Sequence, residues 1–216
     1  GSRSTYARAA LGGVRGRALA AGDLLGCAGA IGGVGNALVE FRAPPLTYAD
    51  GPIRVVPGPQ LDHFTEAALE AFHAQPFRVT PDSDRMGLRL EGPLLAHSAL
   101  GADIASDGVT PGAIQVPANG QPIVLMADCQ TVGGYPKIAT VISADLPRLA
   151  HLRPGAVLRF ERVDLAEAAA ARAERAERLA QWVSRIERFR PPGVIDEAAL
   201  YQGNLVSGMV RTDALE

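Results

Sequence analysis

Apolar residues recur along the chain in two rhythms. Between residues 53 and 163 they form short runs bounded by Gly and Pro, at 53–56, 77–80, 88–93, 114–116, 122–127, 138–142 and 157–163. Runs of this length and Val/Ile/Leu content predict strands. Leu88-Arg89-Leu90-Glu91 alternates as a half-exposed strand does. Asp107-Gly108 and Asn119-Gly120 are turn dipeptides between the runs, and the second predicts a hairpin. The other rhythm is helical. Leu61, Phe64, Ala68, Leu69 and Phe72 predict an amphipathic helix over 61–74, with Asp62 favouring its N-terminus. Leu146, Leu149 and Ala150 predict a short helix over 145–152, ended by Arg153-Pro154-Gly155. From Asp164 to Arg190 Ala, Glu and Arg dominate, with Leu179, Val183 and Ile186 at helical spacing. This predicts a long helix, with Glu174 and Arg178 paired at i,i+4 and Pro191-Pro192-Gly193 as its stop.

The pattern is therefore mainly β, with short helices flanking the strands and a long helix after them. Composition agrees: 24 glycines and 16 prolines in 216 residues imply many turns. Residues 26–51, rich in Gly and Ala and then Pro44-Pro45, read as a linker. A net charge of −2 gives no reason to expect nucleic acid or a membrane surface as partner. No apolar run is long enough to span a bilayer. Two cysteines, Cys27 and Cys129, make no disulfide framework, so a reduced, cytoplasmic setting is the default. Cys129 is read as a small buried thiol rather than a nucleophile. His63, His73, His97 and His151 show no metal-ligand spacing.

Candidate chemistry concentrates in residues 128–141, Asp-Cys-Gln-Thr-Val-Gly-Gly-Tyr-Pro-Lys-Ile-Ala-Thr-Val. An apolar run enters this stretch and another leaves it. Between them lie two glycines, a tyrosine, a proline and Lys137, the sole lysine of the sequence. Gly133 and Gly134 permit close approach of a backbone or ligand. Polar groups held between buried strands suit a binding site; a plain glycine hairpin carrying a surface lysine is the other reading. Arg85 sits in a turn before a strand, placed either to bind a carboxylate or acyl phosphate or to clamp Asp84 or another loop carboxylate. Arg3, Arg8, Arg15 and Arg17 are further candidates for anion binding, or solvated charges and internal ion pairs. Gln115 and Gln130 are expected to be neighbours across the hairpin.

Seven strings occur in order: Ser-Arg-Ser-Thr-Tyr, Ser-Asp-Arg-Met-Gly, Leu-Glu-Gly-Pro, Ser-Asp-Gly-Val, Gly-Ala-Ile-Gln-Val-Pro, Gly-Gln-Pro-Ile and Gln-Thr-Val-Gly-Gly-Tyr-Pro-Lys-Ile-Ala-Thr-Val. Over residues 1–163 the chain thereby resembles the C-terminal two-thirds of the biotin-dependent carboxyltransferase family. That family includes the C subunit of 5-oxoprolinase, the KipI antagonist KipA and the second subunit of allophanate hydrolase. The resemblance implies a cyclophilin-like β-barrel over 52–163, a remnant of an N-terminal β-rich half plus linker over 1–51, and a helical C-terminal extension over 164–216.

It also implies membership of an ATP-dependent amide-hydrolysing or carboxyl-transferring complex, foremost 5-oxoprolinase, with no activity in the absence of its partners. Those partners would be the B-like and A-like (hydrolase) subunits of 5-oxoprolinase, acting on a small-molecule amide. The alternatives are a KipA-type regulatory protein that antagonises a kinase inhibitor, and the carboxyltransferase component of a urea carboxylase or allophanate hydrolase system. No covalent cofactor is implied; ATP would enter through the complex, and biotin only in a carboxyltransferase. Both reactions put negative charge on an oxygen, which a cation stabilises. The expected catalytic set is Lys137, Tyr135 and Arg85, with Gln130, Thr131, Gly133, Gly134, Gln115 and Asp107 contacting substrate and no metal.

Overall fold

The computed structural model describes residues 5–6, 9–25 and 40–189. Arg3, Arg8, Cys27, the glycine run of residues 29–35 and the stop at 191–193 lie outside the described residues. The chain divides into two compact units, residues 1–40 with 189–216, and residues 41–188.

In the first unit, strand β1 (Thr5–Tyr6) pairs antiparallel with β2 (Leu11–Gly12). Gly13 follows at φ +51°, where an added Cβ would lie 1.8 Å from Thr5 Oγ1, so the turn needs glycine. Arg17 forks onto Asp23 at 2.6 Å and holds that carboxyl below its usual range. Of the two alternatives for this arginine, the internal ion pair is the one found.

The second unit is mainly β, as expected. After β3 (Glu40–Arg42) come β4 (Ile53–Pro57), β5 (Phe77–Val79), β6 (Gly87–Glu91), β7 (Asp107–Gly108), β8 (Ala113–Gln115), β9 (Ile123–Leu125), β10 (Val132–Gly133), β11 (Lys137–Val141), β12 (Val157–Leu158) and β13 (Phe160–Arg162). Eight of them form one sheet in the order β12-β5-β6-β9-β8-β11-β4-β13. Its two end strands are separated in sequence by Arg159 alone. The sheet therefore curls back on itself into a nearly closed barrel, which leaves little edge to protect. The parallel pair is β4 with β13; the other neighbours run antiparallel. The Asn119-Gly120 turn joins β8 to β9 with Gly120 at φ +70°.

Alternation sends Val55, Val79, Leu90, Ile114, Val124 and Ile138 into the barrel. Phe72 of helix α1 (Glu66–Ala74) closes one end, stacked on Phe160 at 4.7 Å with Phe77 beside it. The helix starts later than residues 61–74 suggested. Leu61–His63 is a 3-10 turn, and Thr65 caps α1 by accepting the Ala68 N–H at 3.2 Å. A 3-10 turn has nearly the same apolar spacing as an α-helix, so periodicity alone cannot separate them.

Helix α2 (Leu146–Ala150) buries Leu149. Helix α3 (Leu165–Ser184) opens with a reciprocal capping box between Asp164 and Glu167. Ala168 and Ala171 seat it on Ile142 and Ala144. Leu179, Val183 and Ile186 stay exposed, and Arg178 reaches Glu174 only at 4.0 Å. The helix stops at Ser184, not Arg190: the chain turns into β14 (Glu187–Phe189), which pairs with β3. Within the second unit Arg42 bridges Glu187 at 2.7 Å.

Asp145, 1% exposed, ties α2 to the barrel. Its oxygens accept from the Arg54 backbone at 2.9 Å and from the Arg54 guanidinium at 3.0 and 2.7 Å, with Arg148 at 3.3 Å. Burial by itself would raise this carboxyl, but Arg54 and then Arg148 outweigh it, and the group lies below its usual range. A depressed carboxyl stabilises the fold above its unfolded pKa, and the contribution is lost as pH falls through the lowered folded value. Asp145→Asn is expected to cost about 3 kcal/mol in urea denaturation at neutral pH. The variant should also show a shallower loss of stability between pH 4 and the acid transition, following general carboxylate linkage (about pH 4 being the free value).

Candidate functional site

Lys137 begins β11, in the middle of the barrel wall, with its backbone opposite Gln115 of β8. The register shifts between Lys137 and Ala139, and such an irregularity re-aims a side chain at a strand end. Only 4% of Lys137 is exposed. Its ammonium donates to the Asp107 carboxylate and to the Gly108 carbonyl at 3.1 Å. An ammonium has three N–H groups; these contacts use two.

The β7–β10 ribbon delivers those partners. It pairs Asp107 with Gly133 and Gly108 with Val132, and Val109 N–H donates to Thr131 O at 3.0 Å. The Lys137 ammonium, through its hydrogen bond, and then the Gly108 N–H at 2.7 Å pull the Asp107 carboxyl below its usual range. Gly133 is needed because an added Cβ would lie 2.5 Å from Gln115 Nε2. Gln115 is 3% exposed and donates from Nε2 to the Tyr135 carbonyl at 3.3 Å. Among the described residues no protein donor reaches its carboxamide oxygen.

Two residues of this arrangement were not singled out from sequence. Gln60 accepts from the Lys137 backbone N–H at 3.1 Å through Oε1 and donates to Asp107 through Nε2 at 3.3 Å. It therefore spans strand and ribbon. Gly58 lies so close to β11 that an added Cβ would sit 2.0 Å from the Lys137 carbonyl oxygen. The string Pro57-Gly58-Pro59-Gln60 signalled a strand end, and only the fold gives it a neighbour. Together Pro59, Asp107, Val109, Thr110, Lys137 and Thr140 border an open groove of about 330 Å³.

The remaining expected residues are placed differently. Tyr135 turns its side chain outward, 40% exposed, and contributes its carbonyl to Gln115. Thr131 and Gln130 are not buried, and Gln115 faces Lys137 and Ile123, so the expected Gln115–Gln130 neighbourhood is corrected. The peptide chain crosses between them through β10 rather than returning as a simple hairpin. Gly134 contributes its carbonyl to the Ile104 N–H at 2.8 Å. Arg85 clamps Asp128 at 2.9 Å with its side chain 61% exposed; among the described residues no hydrogen bond or ion pair joins it to Lys137. Cys129 is half-buried, its thiol pushed up by burial first, which makes it a poor nucleophile. Among the described residues no group of His, Cys, Asp and Glu could hold a metal ion, and no helix is long and apolar enough to cross a membrane.

Comparison with known proteins points one way. The family profile described as carboxyltransferase domain, subdomain A and B, matches residues 1–162. The C subunit of 5-oxoprolinase from Escherichia coli is 40% identical over 171 residues, which is 79% of this chain and 54% of that protein. The protein of the same name from Haemophilus influenzae is 40% identical over 171 residues, 78% of this chain and 52% of that one. The chain thus spans about half the length of these relatives. The urea carboxylase of Kluyveromyces lactis superposes with a TM-score of 0.67 at 24% identity, over 88% of this chain and 20% of that chain, a likeness of fold.

Gly58→Ala is expected to push β4 away from Lys137. A loss of about 3 kcal/mol in unfolding free energy is expected, the upper end for overpacking. Urea denaturation measures it, and Asp50→Ala, at an exposed position, is the control expected to change stability by less than about 0.5 kcal/mol.

Proposed function

The chain belongs to the carboxyltransferase-domain family, subdomains A and B, and from that premise we propose that it supplies part of the C subunit of an ATP-dependent 5-oxoprolinase complex. The name of its 40%-identical relatives supports the choice within the family. The observation that carries the site is the buried Lys137 ammonium, with one N–H uncommitted among the described residues, on the strand position paired with the buried Gln115, whose carboxamide oxygen is likewise uncommitted among them. These two groups match the two ends of an amide. The Lys137 N–H is a donor to the carbonyl oxygen, and the Gln115 oxygen is an acceptor for the ring N–H.

Opening an amide places negative charge on its carbonyl oxygen. A fixed cation in a site shielded from water stabilises that charge more in the transition state than in the ground state. Asp107 holds the ammonium in place. Gln60 fixes the strand and the carboxylate relative to each other, and Gly133 leaves the space that Gln115 occupies. Tyr135 contributes its backbone carbonyl, which holds the Gln115 amide. Arg85, once released from Asp128, is the cation for a substrate carboxylate or a partner's acidic group. Activation by ATP and the rest of the reaction fall to the B-like and A-like partners, the latter a hydrolase.

The test is co-expression of the intact protein with its A-like and B-like partners, followed by an assay of 5-oxoproline-dependent ATP hydrolysis. Lys137→Met is expected to lower turnover by at least about 100-fold. It should leave unfolding free energy within about 1 kcal/mol, since exchanging a buried ion for an apolar group of like size is often neutral and Asp107 is half in solvent. Turnover near that of the wild type would reject the assignment.

A further inference from the structure

Away from the Lys137 groove, a second concavity lies between α3 and the segments at residues 45–49 and 144–148. Its volume is about 240 Å³. Five arginines and one carboxylate line it, Arg54, Arg148, Arg175, Arg178 and Arg185 with Asp145; Glu174, outside the lining, also acts on Arg54. Asp145 is already paired with Arg54 and Arg148, and Arg148 also donates to the Gly51 and Pro52 carbonyls. Arg178 has Glu174 at 4.0 Å. The side chains of Arg175 and Arg185 have no ion-pair or hydrogen-bond partner among the described residues. Residues 175, 178 and 182 fall on one face of α3 by helical spacing, and Arg185 follows as its C-cap, so the helix turns its cations into the cleft.

Two aromatic side chains complete the wall. Trp182 donates from Nε1 to the Pro44 carbonyl at 2.6 Å, which locks its ring. Tyr48 packs on His151 at 5.0 Å between ring centroids. Unpaired guanidiniums around a concavity repel one another and lower the cost of bringing in an anion. Their planar forks match the oxygens of phosphate and carboxylate. A volume below the ~300–1,000 Å³ of drug-sized sites selects a compact, charge-dense group. We propose that this cleft is a binding site for the phosphate groups of a small phosphorylated molecule, with Arg175 and Arg185 as its principal ligands and Arg178 as a third. Phosphate is preferred to a single carboxylate because a dianion with three acceptor oxygens satisfies more of the free donors.

Trp182 is the only tryptophan, so its fluorescence reports on this cleft alone. The probe is inorganic pyrophosphate, titrated into the full chain at constant ionic strength, with citrate as the carboxylate comparison. A saturable fluorescence change is expected, together with a rise in melting temperature, as a ligand of the folded state produces. Pyrophosphate should bind at least 10-fold more tightly than citrate. Arg175→Gln/Arg185→Gln should weaken pyrophosphate binding at least 10-fold while melting no lower than the wild type in its absence. Should the double variant fail to fold, Arg185→Gln alone, at an exposed position, is expected to weaken binding at least 3-fold. No saturable change, equal binding by the variants, or citrate binding as tightly as pyrophosphate would each overturn the proposal. None of these outcomes depends on 5-oxoprolinase activity.

Discussion

A lone ammonium inside a β-barrel wall has to be neutralised where it sits, and much of the local architecture follows from that requirement. Lys137 is buried, and an unpaired charge there would cost several kcal/mol. The chain meets this by folding β7 and β10 into a ribbon beside the barrel and presenting Asp107 and the Gly108 carbonyl to the ammonium. Gln60 then joins the ribbon to β11 by bonding both Asp107 and the Lys137 backbone. Glycine appears at 58 and 133 because neighbouring atoms stand closer than any Cβ permits. The charge meets the ribbon and the glutamine, while the two glycines answer to the β11 backbone and to Gln115.

A second carboxylate organises the opposite problem. Asp145 is buried among cations rather than brought to one, and it links β4 to α2 through Arg54 and Arg148. The two acids differ in what they leave over. Asp107 matches one cation and completes the neutralisation. Asp145 matches two, and of the cleft's other arginines Arg178 has Glu174 at 4.0 Å while the side chains of Arg175 and Arg185 have no ion-pair partner among the described residues. The charge is thus matched one to one at the Lys137 groove, whereas the lining of the α3 cleft holds more arginines than carboxylates.

Local rhythm made the strands legible. The runs at 53–56, 77–80, 122–127 and 138–142 became β4, β5, β9 and β11 with shifts of a residue or two, because a buried strand needs its own apolar residues whatever its partners. Asn119-Gly120 was legible for a similar reason, since the turn depends on backbone conformations of its own two residues. Sole-lysine status and the double glycine marked the site. Its partners were not legible as partners: Asp107 is 30 residues from Lys137 and Gln60 is 77, and no periodicity encodes a contact at that range. Helix ends failed for another reason. Leu61 and Phe64 satisfy a 3-10 turn as well as an α-helix, and Leu179, Val183 and Ile186 kept a helical spacing although Ala168 and Ala171 are the residues that dock.

The Lys137–Asp107 pair is lopsided, and the asymmetry bears on how a ligand would enter. The lysine side chain is 5% exposed and the aspartate 52%. Detaching the pair therefore carries unequal costs. The carboxylate would rehydrate where it stands, while the ammonium would remain shielded and in need of an anion. An incoming group with negative charge on oxygen thus competes mainly against a solvated carboxylate, not against a second buried charge. A neutral amide gains less from that exchange than the anionic oxygen formed as the amide opens. On the function proposed for this groove, the geometry would favour the charged transition state over the neutral ground state, a preference that would be lost if Asp107 were as buried as Asp145.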